Sequence, residues 1–86
     1  MKLFEIDDGS LHTVAAHDEA EAFGLYIENI IKSGCYWPSE KPAISVMDPS
    51  REYTLHPDGG ELKVRLAVHE WLNLYAKPQY VGCSDF

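Results

Sequence analysis

The stretch KLFEIDDGSLHTVAA, residues 2 to 16, constrains the fold of this chain more than any other. Phe4 and Ile6 alternate with less apolar neighbours, Asp7-Asp8-Gly9-Ser10 interrupts, and Val14 and Ala16 resume a matching alternation. A period of two puts alternate side chains on one face of a strand, and glycine after aspartate supplies the positive φ of a tight turn, so the spacing predicts a β-hairpin. A lone hairpin is at best marginally stable in water; further strands or a helix must cover its apolar face.

The next residues supply a helix. In VAAHDEAEAF, residues 14 to 23, His17, Asp18, Glu19 and Glu21 crowd into five positions, which raises the choice between a metal or acid-base site and a helix start. Asp18 followed three residues later by Glu21 is a D-x-x-E form of the capping box, ahead of a helical stripe of Ala20, Phe23, Ile27, Ile30 and Ile31. Carboxylates in a first turn also suit the positive end of the helix dipole. Lys32 and Gly34 give the stop signals. His17 and Glu21 have the i, i+4 spacing of a ligand pair, but His12, His56 and His69 show no partner spacing, so no metal is expected. Gly24 costs about 1 kcal/mol relative to alanine inside a helix, which points either to close approach of the sheet or to tolerance.

GCYWPSEKP, residues 34 to 42, breaks the pattern with a glycine, two prolines and adjacent aromatics. Tyr36 and Trp37 have two readings: an exposed anchor for a partner, or aromatics folded back to close one end of the core. AISVM (43 to 47) and REYTL (51 to 55) read as strands separated by the turn Asp48-Pro49-Ser50. After His56-Pro57-Asp58-Gly59-Gly60, ELKVRL alternates with Leu62, Val64 and Leu66 inward and Lys63 and Arg65 outward. Val68, Trp71, Leu72 and Tyr75 mark a second amphipathic helix that Pro78 stops, and QYVGCSDF closes the chain as a last strand. His69-Glu70 begins like an H-E-x-x-H zinc motif, but Asn73 stands where the second histidine belongs.

The expected architecture is one α+β domain over residues 1 to 86, in ββα-βββ-αβ order: a small antiparallel or mixed sheet with two helices packed on one face. Phe4, Ile6, Val14, Phe23, Ile27, Val64, Leu66, Trp71 and Leu72 lead the expected core. Apolar residues never run to the roughly 18 consecutive positions a membrane span needs, and MKLFEIDD has no secretory h-region, so a cytoplasmic protein is expected. Cys35 and Cys83 lack any paired spacing; free thiols are preferred, with a bridge between them as the alternative.

Charge narrows the function. The net charge is −7, and residues 1 to 31 hold seven acids, Glu5, Asp7, Asp8, Asp18, Glu19, Glu21 and Glu28, against Lys2 alone. Such a surface repels nucleic acid and anionic membrane and suits a basic protein partner; surplus acid also keeps a small protein soluble. No Gly-rich phosphate loop, G-x-S-x-G elbow, zinc spacing or EF-hand loop is present, and nothing in the sequence brings His12, Cys35 or Cys83 next to an activating group. A non-enzymatic protein without a cofactor is expected.

KLFEIDDGSLHTVAAHDEAEAFGLY and KVRLAVHEWLNLYAKPQYVGCSDF resemble small acidic phage and prophage proteins, which open with a strand, an acidic glycine turn, a VAA strand end and an acidic helix, and finish with an EWL helix and a short strand. The likeness spans both ends of the chain and leaves out the loop from Cys35 to Pro42. In size and charge such proteins are similar to anti-CRISPR and other anti-defence inhibitors, which implies a host-cell protein that occupies a basic surface, for instance one that normally holds nucleic acid. No functional residue carries over from the likeness. The residues expected to bind the partner, on charge and composition, are Asp7, Asp8, Glu19, Glu21, Tyr36 and Trp37. The alternative is a phage structural or assembly protein that self-associates through its sheet edges.

Overall fold

A computed structural model describes residues 1 to 33, 42 to 57 and 61 to 84, with backbone alone at Ser33, Cys83 and Ser84. Along the chain run β1 (Lys2–Asp7), β2 (Leu11–Ala16), α1 (Glu19–Ser33), β3 (Ala43–Val46), β4 (Glu52–Pro57), β5 (Val64–Ala67), α2 (Val68–Leu74) and β6 (Gln79–Ser84). The strands form one antiparallel sheet in the order β3-β1-β2-β6-β4-β5. The α+β class and the element order are those the sequence indicates.

The hairpin pairs Phe4 with Val14 and Ile6 with His12, so the two alternations share a face as expected. Its turn is held locally: Gly9 has φ +107°, the Asp7 Oδ1 accepts the Gly9 N–H at 3.0 Å and the Asp8 Oδ1 accepts the Ser10 N–H at 3.0 Å. Such aspartate bonds to the backbone two residues on are what favour this residue type in turns.

The two helices do not share a face. Leu3 and Phe4 are neighbours in β1 and both buried; successive strand side chains point to opposite sides, so both sides of the sheet must be covered. Phe4, Ile6, Val14 and Ala16 pack under Ala22, Tyr26 and Ile30 of α1. Leu3, Ala15, Leu55 and Val81 pack with Val68 and Trp71 of α2 on the other side. Tyr80 and Val81, adjacent in β6, fall by alternation into the α1 and the α2 cluster, and an irregularity at Thr13/Val14 leaves Val81 as an extra residue of β6, so that Thr13 faces Gly82.

The expected core is displaced in detail. In α1 the buried stripe is Ala22, Tyr26 and Ile30, so Phe23 and Ile27 are partly buried, Ala20 is exposed and Ile31 is 66% exposed. Tyr26 takes the central place because its hydroxyl finds a partner in Asp8, which removes the cost of burying it. Val64, Leu66 and Leu72 are partly buried against the α2 cluster; Leu62, expected inward, precedes β5 and is 71% exposed. Trp71 is fully buried and donates its indole N–H to the Tyr53 carbonyl at 3.2 Å. α2 follows β5 directly, the Glu70 Oε1 accepting the Ala67 N–H at 3.1 Å. Glu70 is therefore part of a helix start.

Candidate functional site

The helix start accounts for the crowded acids at His17 to Glu21. The Asp18 Oδ1 accepts the Glu21 N–H at 2.8 Å, and the Glu21 Oε1 accepts the His17 N–H at 2.7 Å and lies 3.0 Å from His17 Nδ1. Asp18 is thus the expected cap, with Glu21 reaching back one residue beyond the usual box partner. Among the described residues no three His, Cys, Asp or Glu side chains converge as metal ligands do. Glu19, in the same first turn, is exposed.

The four expected acids come from two elements. Asp7 and Asp8 sit at the hairpin tip, while Glu19 and Glu21 lie in the first turn of α1, which follows the other end of β2. They differ in availability as well. Asp7 is exposed, but the Asp8 side chain is only 18% exposed and belongs to an internal network.

That network joins three elements. Asp8 continues the Phe4, Ile6 alternation and so turns toward α1, as does His12, which faces Ile6. Tyr26 of α1 donates its hydroxyl to Asp8 Oδ2, His12 Nε2 lies 3.2 Å from Asp8 Oδ1, and His12 Nδ1 lies 2.8 Å from the Tyr80 hydroxyl of β6. An ionised aspartate only accepts, so the network assigns the neutral ring its proton on Nε2 and leaves Nδ1 to accept from Tyr80. The His12 ring also stacks at a tilt on Tyr26, 5.3 Å between centroids. Burial works to raise the Asp8 pKa, but the hydrogen bonds from Tyr26, the Ser10 N–H and His12, with the His12 charge, hold it below the ordinary aspartate value. The Tyr80–His12–Asp8 chain has the order of a proton relay. Its geometry accounts for a simpler role: it fastens the hairpin tip to α1 and β6.

A groove lies on the same side of the sheet. Glu19, Ala20 and Phe23 of α1 with Pro42 and Ile44 line a volume of about 510 Å³ between the helix and β3. Tyr36, Trp37 and Cys35 fall outside the described residues, as does the Cys83 side chain.

Sequence reasoning missed the Asp8–His12–Tyr26–Tyr80 cluster. Part of its signal was present: Asp8 and His12 are in phase with Phe4, Ile6, Val14 and Ala16. Tyr80 had none, since only the pairing of β2 with β6 brings it to His12. No family model matches the chain, and no curated protein or solved structure is significantly similar to it.

Proposed function

We propose that this protein is a non-enzymatic binding module that occupies a basic surface of another protein, in the manner of a phage-encoded anti-defence inhibitor. The observation that carries the reading is the placement of seven acids against one base in residues 1 to 31, the segment that forms β1, β2 and most of α1. Asp7 and Glu19 are exposed there and lead the contact set, with the exposed Glu28, which pairs with Lys32 at 3.4 Å, on the other side of α1; Asp8 and Glu21 are spent on the hairpin network and the helix cap. A surface of this sign accelerates encounter with a basic patch and disfavours nucleic acid. The host cytoplasm is the place where such a partner would be met.

The test is capture of partners from cell lysate by wild type and by a Glu19→Lys/Glu28→Lys variant. Wild type should retain a protein with a basic surface, nucleic acid should compete for it, and the variant should retain much less. Equal capture by both would contradict the reading. A second reading, self-association through a sheet edge, draws on the uncharged sequence of β3, AISV. Light scattering over a concentration series separates the two, because only self-association makes the mass rise with concentration.

A further inference from the structure

We propose that the free edge of β3, with the groove beside it, is a strand-addition site for an extended segment of a partner protein that alternates apolar and basic residues. The inference rests on the protein-binding reading above and names how the partner is held.

The ladder shows which groups are available. The Met47 N–H donates to the Leu3 carbonyl at 2.9 Å, and the register continues Phe4↔Val46, Glu5↔Ser45, Ile6↔Ile44 and Asp7↔Ala43. Bonded and non-bonded pairs alternate in an antiparallel ladder, so Ser45 and Ala43 bond inward to β1. Ile44 and Val46 therefore aim their N–H and C=O groups away from the sheet. Among the described strands β3 is an edge, and Val46 is 51% exposed. Natural edges are commonly blunted by charge or proline. The opposite edge, β5, carries Arg65 within the strand, whereas the four residues of β3 include neither charge nor proline, Pro42 and Pro49 lying outside the strand.

The surroundings specify the occupant. A strand added to β3 sends alternate side chains to each face. On the α1 face they lie beside Ile44 and Val46, where the groove offers Phe23 and Ala20 to apolar groups and Glu19 to a basic one. On the other face they pass Ser45 toward Glu5. A second copy of this chain fits poorly, because residues 43 to 47 contain no base and the joint would bring Glu5 and Glu19 of two chains of net charge −7 together. A basic, apolar strand suits this edge when its bases fall at the Ile44 end, beside Glu19, and its apolar residues at the Val46 end, where Lys2 lies.

The experiment uses the full chain and a synthetic peptide of about eight residues alternating valine and lysine, with a valine–glutamate peptide as control. Amide exchange at Ile44 and Val46 should slow at least tenfold with the lysine peptide, exchange at Ser45 should change little, and the glutamate peptide should have no effect. Val46→Pro removes an outward donor and leaves the β1 ladder untouched, so the fold should persist while peptide affinity falls tenfold or more. Ala20→Gln, neutral and at an exposed helix position, fills the groove and should weaken binding even if the proline variant does not fold. Protection on β5 instead, unchanged affinity in both variants, or Ile44 and Val46 protected in a peptide-free dimer would overturn the proposal. With the captured partner, unchanged binding by Val46→Pro and Ala20→Gln alongside loss in Glu19→Lys/Glu28→Lys would reject strand addition and leave the acidic-surface reading standing.

Discussion

Asp8 shows how a side chain's role is decided by what surrounds it. By composition it is one of two acids in an exposed turn; in the fold its oxygens accept from Tyr26 and the Ser10 N–H, with His12 alongside. Asparagine there removes the charge and turns one of the two acceptor oxygens into an NH2 donor, so either the buried Tyr26 hydroxyl or the half-buried His12 ring loses its acceptor. Asp8→Asn should cost about 2 kcal/mol by chemical denaturation, and Tyr26→Phe about 1 kcal/mol, since hydrogen bonds to charged groups are the stronger kind. The pH dependence has a definite sign. The Asp8 pKa is lower folded than its ordinary value of 3.8, so its stabilisation is complete above that value and is lost as pH falls through the lowered one. The acid limb of a stability–pH curve should accordingly be shallower in Asp8→Asn than in wild type; an unchanged limb would show that Asp8 is not a stabilising acceptor. Asp18 is a contrasting case, legible from sequence because capping is local. Asp18→Ala should cost about 1 kcal/mol whether or not a chelator is present, and a fall in wild-type melting temperature on adding chelator would contradict the cap assignment.

At the scale of elements, most boundaries follow from periodicity and turn chemistry, because both act within a few residues. The hairpin, α1 and the α2 stripe of Val68, Trp71, Leu72 and Tyr75 all appear where the spacing puts them. What the spacing leaves open is orientation. Phe23, Ile27 and Ile31 form as regular a stripe as Ala22, Tyr26 and Ile30, and the spacing does not show that the Tyr26 hydroxyl has a partner in Asp8 of the hairpin beneath it. The side on which α2 packs was written in adjacent buried residues, Leu3-Phe4 and Val14-Ala15-Ala16, which an amphipathic strand with one covered face would not contain. Gly24 resolves similarly: it is exposed, and a Cβ built there meets nothing within 4 Å, so the sheet does not require a glycine. Gly24→Ala should raise stability by about 0.5–1 kcal/mol, read as a higher melting temperature; a lower one would mean that the helix needs the glycine after all.

For the whole molecule, the acid concentrated in residues 1 to 31 is carried by the hairpin and by α1. The hairpin tip presents Asp7, while α1 presents Glu19 beside the groove and the uncharged β3 edge, and Glu28 on its other side, toward Pro78, Gln79 and Tyr80. The amount of charge was legible from composition; its availability was not, because only the fold turns Asp8 onto Tyr26 and His12 and leaves Asp7 and Glu19 exposed. Among the described residues no helix is long and apolar enough to cross a membrane. An acidic surface that recruits a basic one acts mainly on the rate of encounter, and salt screens it beyond about 8 Å at physiological ionic strength. The most direct measurement is therefore the association rate of the captured partner with wild type and with Glu19→Lys/Glu28→Lys across a salt series. The wild-type rate should fall steeply as salt rises, and the variant should start lower and vary less. Equal rates with equal salt dependence would contradict binding through the acidic surface.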